Sequence, residues 1–337
     1  MTFKQMTKRI FINKDELKPF GSVSTISEKA KSLVLQQQAT WQLAKKNYEG
    51  LKKVQVRSFD FDTFRVLAQF NPERIRSTAA KPDEKTISKR PCFLCPKNLP
   101  SKQKGFLILK KYLVLINPYP IFPAHLTISD ISHTPQLIRN RIDDLLEASK
   151  ALSGFTVFYN GPRCGASAPG HFHFQAGITG HIPAEKEVAG NSEEIFRAEK
   201  TAIRFSKNYL RRFIAIDSEE KSELKKLFSL MYKTLEGRHQ HPEPMVNILC
   251  RFRNKKWQMI IFPRDKQRPS HYFSEGEKQI VIGPASVEMG GLLILPRIKD
   301  FNKISEKEIK EIYSEVTISE QDFNTFIESI RQEIKWL

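Results

Sequence analysis

Residues Gly165 to Gly177 read GASAPGHFHFQAG. His171, His173 and Gln175 follow one another at every second position, the period at which side chains on a β-strand share a face. Phe172 and Phe174 take the intervening positions and point the other way, into a core. A row of two imidazoles and an amide is an odd set to bury without partners. It suits a place where a phosphoryl group is attacked and then held. The competing reading, two hydrogen-bonded histidines on a half-exposed strand, needs no function at all.

Histidine attacks phosphorus only through an unprotonated, aimed ring nitrogen, with the other nitrogen held by an acceptor that fixes the tautomer. His173, in the middle of the row, fits that role. Gln175 is placed to bond a non-bridging phosphate oxygen. The turn Gly165-Ala166-Ser167 offers backbone N–H groups and a hydroxyl as an anion cradle, and Arg163 adds positive charge. Phosphoryl chemistry depends above all on positioning and charge stabilisation, and this stretch supplies both.

Outward from the motif, the chain alternates strands with helices. The capping box Thr25-Ile-Ser-Glu28 predicts a helix running to about Asn47, after an irregular start over residues 1–24. Strands are predicted in residues 53–70, in FLILKKYLVLIN ending at Asn117, from His125 to Ile128 and in FTVFYN at 155–160. Pro135 to Leu152 has helical periodicity. Residues 180–200 read as a polar surface excursion, Ser218 to Glu236 as a helix, and MVNILCRFR with KWQMIIFPR as a hairpin around Asn254-Lys255. VIGP and ASVEMGGLLILPR follow, and Ser305 to Leu337 reads as two helices. Apolar strands ending near Pro recur in both halves, which points weakly to a duplicated α+β unit.

The 337 residues suffice for one large or two ordinary domains. Apolar runs are too short to span a membrane, the N-terminus has no signal-peptide pattern, and four cysteines are too few for a disulfide framework, so a cytoplasmic setting is expected. Lys and Arg number 55 against 37 Asp and Glu; a net charge of +18 attracts polyanions, whether nucleotides, sugar phosphates or nucleic acid. Arg74, Lys97, Arg163 and Arg264 are candidate phosphate neighbours, each with an ordinary surface cation as the alternative.

G-A-S followed by H-x-H-x-Q resembles the active-site motif of the nucleotidyltransferase branch of the histidine triad superfamily. That branch includes galactose-1-phosphate uridylyltransferase, diadenosine tetraphosphate phosphorylase and GDP-L-galactose phosphorylase. The resemblance implies antiparallel sheets with flanking helices, in a duplicated uridylyltransferase-like α+β fold. It implies a ping-pong reaction in which His173 forms a nucleotidyl-histidine and Gln175 binds the phosphate, beside His171. Asn160, eleven residues before His171, matches the spacing at which uridylyltransferases keep an asparagine near the nucleotide. Asn117, in INPYPIFPAHLTI, resembles the ribose-contacting asparagine of the superfamily, with a turn residue before Pro118 as the alternative. Phe174 stands where the uridylyltransferases keep glycine, which is closer to the phosphorylases. Residues 246–264 and ASVEMGGLLILPR resemble the C-terminal half of the GDP-L-galactose phosphorylases.

Cys92-Phe-Leu-Cys95 supplies two thiols that can grip one metal ion, half of a tetrahedral site; two free thiols are the alternative. The string resembles the zinc knuckle of bacterial-type uridylyltransferases, which implies His133 and His171 as the remaining ligands of a structural zinc. The resulting expectation is an N-terminal helical extension over 1–50, a catalytic unit over 51–200 and a second unit over 201–337. The expected substrates are a nucleotide sugar or dinucleoside polyphosphate with phosphate or sugar phosphate as acceptor, and a homodimer accords with relatives of this type. Hydrolysis by the same fold and nucleic-acid binding or RNA-end processing are the rival readings; no nucleic-acid reader motif is present.

Overall fold

The computed structural model describes residues 2–72, 91–238 and 242–334. Its strands in chain order are β1 (Gln55–Phe61), β2 (Phe64–Phe70), β3 (Gly105–Ile108), β4 (Tyr112–Ile116), β5 (His125–Asp130), β6 (Phe155–Asn160), β7 (His173–Ile178), β8 (Ser192–Arg197), β9 (Thr201–Ser206), β10 (Ile214–Ser218), β11 (Val246–Arg253), β12 (Lys256–Pro263) and β13 (Leu292–Leu295). Ten of them form one antiparallel sheet in the order β3-β4-β5-β7-β6-β11-β12-β10-β9-β8. β1, β2 and β13 form a second, small sheet.

The ten-stranded order is a palindrome. β3, β4 and β5 follow in sequence, the helix Ile142–Ala151 crosses over, and β7 enters between β5 and β6. β8, β9 and β10 repeat the course, with the helix Lys221–Leu235 and with β12 between β10 and β11. The fold is therefore the expected duplicated α+β arrangement. The copies join where β6 pairs with β11, with Asn160 opposite Asn247 and Phe158 opposite Leu249. The outer edges differ. Residues Ile10–Ile12 bond the main chain of Gly105 on β3, whereas β8 carries a register shift between Glu194 and Phe196.

Strand alternation gives the sheet a core on each face. Val157, Tyr159, Phe172, Phe174, Ile248 and Met259 pack with helices, including Lys221–Leu235 and Glu320–Ile334. Phe158, Leu249, Ile260 and Phe262 pack the other way, against the small sheet and the helix Glu306–Val316. Phe172 and Phe174 meet edge to face at 4.9 Å, so His173 and Gln175 lie on the second face.

Local chemistry accounts for where the elements start and stop. Thr25 and Glu28 form the expected capping box. The helix it opens ends at Thr40, because Trp41 turns extended (φ −126°, ψ 106°) and buries its indole in the core before a second helix, Gln42–Gly50. Residues 1–24 are not irregular as expected: Phe3–Arg9 and Lys14–Leu17 are helical, each opened by its own capping box. FLILKKYLVLIN is two strands, β3 and β4, turned at Leu109 and Lys110 with φ of 49° and 59°. The expected helix from Pro135 begins only at Ile142. The supposed surface excursion of 180–200 contains β8. The hairpin at Asn254-Lys255 and the two tail helices are present as expected. No helix among the described residues is long and apolar enough to cross a membrane.

A buried carboxyl, Glu243, lies at the seam between the halves. Glu243 accepts from the Ile138 N–H at 2.7 Å and shares the single Tyr159 hydroxyl proton with the Gln136 carbonyl. Burial pushes it from an ordinary 4.5 up to about 7, although both donors favour the anion. The folded chain therefore keeps a proton that the unfolded chain releases. The stability this provides is complete below about pH 4.5 and is lost as the pH rises through about 7. Glu243→Gln is expected to flatten the fall in unfolding free energy between about pH 5 and pH 8 by on the order of 2–3 kcal/mol. Urea denaturation across that range reads the slope.

Candidate active site

His173 opens β7 opposite Ser129 of β5. Its Nδ1–H donates to the carbonyl of His171 at 2.9 Å, which leaves the lone pair on Nε2. Nε2 is buried and has no hydrogen-bond partner among the described residues. Burial lowers the imidazole to about 4; the carbonyl bond opposes this and nearby His171 adds to it. At neutral pH the ring is uncharged, with one bare nitrogen.

Two residues on, Gln175 is oriented by two partners, each fixed in turn by a main-chain N–H. Its Oε1 accepts from His125 Nε2 at 3.0 Å and from Asn117 Nδ2 at 3.3 Å. The His125 tautomer follows from its far side, where Nδ1 accepts the Ile121 N–H at 3.3 Å. Asn117 is set in turn by its Oδ1, which accepts the Tyr119 N–H at 2.9 Å. With its oxygen engaged, Gln175 has its amide NH2 to offer an anion. Sequence reasoning placed Asn117 and Gln175 but missed His125. The signal was there: on β5, His125, Thr127 and Ser129 stand opposite Gly177, Gln175 and His173, and so share the face of the motif.

His171 faces a different set. Its Nε2–H donates to the Asp130 carbonyl at 2.8 Å, which turns Nδ1 toward Cys92 Sγ at 3.3 Å and Cys95 Sγ at 3.6 Å. His133 Nδ1 lies 3.1 Å from Cys95 Sγ. Ligand atoms of Cys92, Cys95, His133 and His171 all fall within 4.8 Å of one another, a group that could hold one metal ion. The four residues named from the sequence are thus brought together. Burial works against ionising Cys92, but the His171 bond and backbone donors outweigh it and hold the thiol near 6. Burial and the charge of Cys92 push Cys95 up to about 11. The knuckle is tied down by Asn98, whose side chain donates to the Cys92 carbonyl at 2.8 Å, and by Arg9, which donates to the carbonyls of Pro96 and Leu99.

The second half of the chain closes over the loop between β6 and β7. Asn160 is buried, and its Oδ1 accepts from Asn247 Nδ2 at 3.1 Å, from the Ser286 N–H at 2.8 Å and from Ser286 Oγ at 2.7 Å. Arg264 is neither a phosphate neighbour nor a surface cation. It is 1% exposed, and its guanidinium donates to Asn247 and to the carbonyls of Val316, Pro284 and Lys266. Arg163 and Ser167 stand exposed on the loop, Lys97 is exposed on the cysteine knuckle, and Arg74 lies outside the described residues. On β12, the counterpart of β7, the matching face carries Gln258, Ile260 and Phe262, so the histidine row of β7 has no counterpart there.

Two family models match the chain: a domain of unknown function (DUF4922) over residues 33–178 and the GDPGP1-like C-terminal domain over residues 187–336. Among solved structures, yeast Ap4A phosphorylase Apa2 in complex with Ap4A is similar with a TM-score of 0.54 at 16% identity, over 83% of this chain and 97% of that one. The same protein with AMP gives a TM-score of 0.52 at 16% identity, over 84% and 97%. The second half of the chain thus matches the GDPGP1-like C-terminal model, and the chain as a whole shares the fold of that phosphorylase. No curated protein matches it in sequence at a significant level.

The loop before the histidine strand depends on Gly165. Its φ is +93°, and a Cβ there would lie 2.5 Å from the Ala285 Cβ. Gly165→Ala is expected to cost about 1–3 kcal/mol. Adding Ala285→Gly should recover the steric share of that loss but not the backbone share, as thermal denaturation of the single and double variants would show.

Proposed function

We propose that this chain is a nucleotidyltransferase of the phosphorylase type, with His173 as the nucleophile. The observation that carries the reading is the bare, buried Nε2 of a neutral imidazole whose Nδ1–H is pinned to a carbonyl. The Nε2 lone pair attacks the α-phosphorus of the donor, an N–P bond forms and the P–O bond to the leaving group breaks. The leaving group, a nucleoside polyphosphate from a dinucleoside polyphosphate or a sugar phosphate from a nucleotide sugar, departs with that electron pair. An oxygen of inorganic phosphate or of a sugar phosphate then attacks the same phosphorus, and the N–P electrons return to Nε2. Gln175, fixed by His125 and Asn117, donates its amide N–H to a non-bridging oxygen through both steps. Asn160, Arg163 and Ser167 line the approach along the β6–β7 loop. The division into an extension over 1–50 and units over 51–200 and 201–337 goes with this reading.

The donor is a dinucleoside polyphosphate or a nucleotide sugar. Solved complexes of a structurally similar phosphorylase with Ap4A and with AMP support this, as does the attraction of a +18 chain for polyphosphates. Two thiols and two imidazole nitrogens at Cys92, Cys95, His133 and His171 make a donor set that suits zinc. With four protein ligands the ion would be structural. Unpaired cysteines support a reducing, cytoplasmic setting.

Incubation with a panel of Ap4A, GDP-glucose and UDP-glucose, followed by intact-protein mass spectrometry, is expected to give an adduct of one mononucleotide that is lost in acid and missing from His173→Ala. An adduct of equal yield in His173→Ala would overturn the mechanism. Product release that depends on added phosphate separates transfer from hydrolysis. Purified protein should carry about one zinc per chain, against less than about a tenth in the Cys92→Ser, Cys95→Ser double variant, with a lowered melting temperature. Elemental analysis and a thermal scan measure both.

A further inference from the structure

The main-chain ladder between β6 and β7 stops just short of His173. It runs from Phe155 opposite Ile178 to Phe158 opposite Gln175. Continued in register it would set Asn160 opposite His173, but the strands part there and the side chain of Gln136 stands between them. Gln136 Oε1 accepts the His173 N–H at 2.8 Å, and Nε2 donates to the His173 carbonyl at 2.9 Å and to the Asn160 carbonyl at 3.0 Å. One amide side chain thus replaces the peptide group of a neighbouring strand.

Gln136 is fully buried and is itself held. Its own N–H donates to the Pro169 carbonyl at 3.1 Å, and its carbonyl lies 3.0 Å from the Tyr159 hydroxyl. The helix predicted from Pro135 starts only at Ile142, with Gln136 bonded to the motif strand and the Ile138 N–H to Glu243. The consequence falls on His173. The bond from its Nδ1 to the carbonyl two residues earlier requires a fixed backbone between His171 and His173. Gln136 holds both the N–H and the carbonyl of His173 on the β6 side. A small rotation of that peptide would be magnified at Nε2, at the far end of the ring.

We propose that Gln136 is a positioning residue for nucleotidyl transfer, acting through the main chain of His173 to keep Nε2 in line with the phosphorus. The proposal rests on His173 being the nucleophile. It makes Gln136 a determinant of the transfer rate rather than of donor binding, since its amide is spent within the sheet.

The test compares wild type, Gln136→Met and Tyr159→Phe in single-turnover labelling with the Ap4A, GDP-glucose and UDP-glucose panel at several donor concentrations, beside a melting curve for each. Gln136→Met keeps the length of the side chain and removes all three bonds. Its maximal labelling rate is expected to fall by about 100-fold or more, with the half-saturating donor concentration within about threefold of wild type. Tyr159→Phe loosens Gln136 from behind and keeps the test available if the Met variant does not fold; its rate is expected to fall about 3- to 10-fold at unchanged half-saturation. A folded Gln136→Met labelled as fast as wild type, or a loss confined to half-saturation, would overturn the role of Gln136 while leaving His173 as the nucleophile. If Gln136→Met does not fold, a Tyr159→Phe rate equal to wild type would do the same. A wild type that takes up no nucleotide would overturn the reading of His173 and this proposal with it.

Discussion

An imidazole attacks through a nitrogen that carries no proton, and His173 keeps Nε2 bare by donating its other N–H to the carbonyl of His171. Much of the site serves that single bond. The carbonyl belongs to a residue whose own ring is locked, with Nε2–H on the Asp130 carbonyl and Nδ1 among Cys92, Cys95 and His133. The side chain of one histidine thereby steadies the main-chain acceptor of the next. The cysteine knuckle is thereby coupled, through a peptide group, to the imidazole proposed as the nucleophile.

The duplication is symmetric in topology and asymmetric in chemistry. The first half carries the histidines on β7, while β12 offers Gln258, Ile260 and Phe262 at the corresponding face. The second half has instead become the wall of the site. Asn247 and Ser286 saturate the oxygen of Asn160, and Arg264 braces Asn247 from beneath with a charge buried among carbonyls. Unpairing such a guanidinium would be costly, so this wall is stiff in itself, while the β6–β11 ladder and the bonds of Asn247 and Ser286 to Asn160 join it to the first half.

The motif face was legible because a period of two is the strongest signal a strand leaves, and Phe172 and Phe174 marked the opposite side. Cys92 and Cys95 were legible as a pair, but His133 and His171 came only from resemblance, since ligands drawn from separate loops have no local pattern. His125 was overlooked because its role depends on the pairing of β5 with β7, which a single strand does not reveal. The break at Trp41 carries no Gly or Pro to announce it; a buried indole forces it. The late start of the helix after Pro135 is likewise unannounced, with Gln136 bonded to a strand thirty-odd residues away. The short N-terminal helices were hidden by their length, although Thr2 with Gln5 and Asn13 with Glu16 spell capping boxes.

A palindromic sheet of ten strands has two ends, and an open strand is a template on which another chain can add. The β3 end is occupied by the chain's own residues Ile10–Ile12. Among the described residues no strand pairs beyond β8, and this end is a poor template. Glu193, Glu194 and Arg197 are exposed along it, and the slip between Glu194 and Phe196 breaks the run of regularly spaced N–H and C=O groups. The bulge that looks like a flaw in the ladder makes this end a poor seat for a further strand.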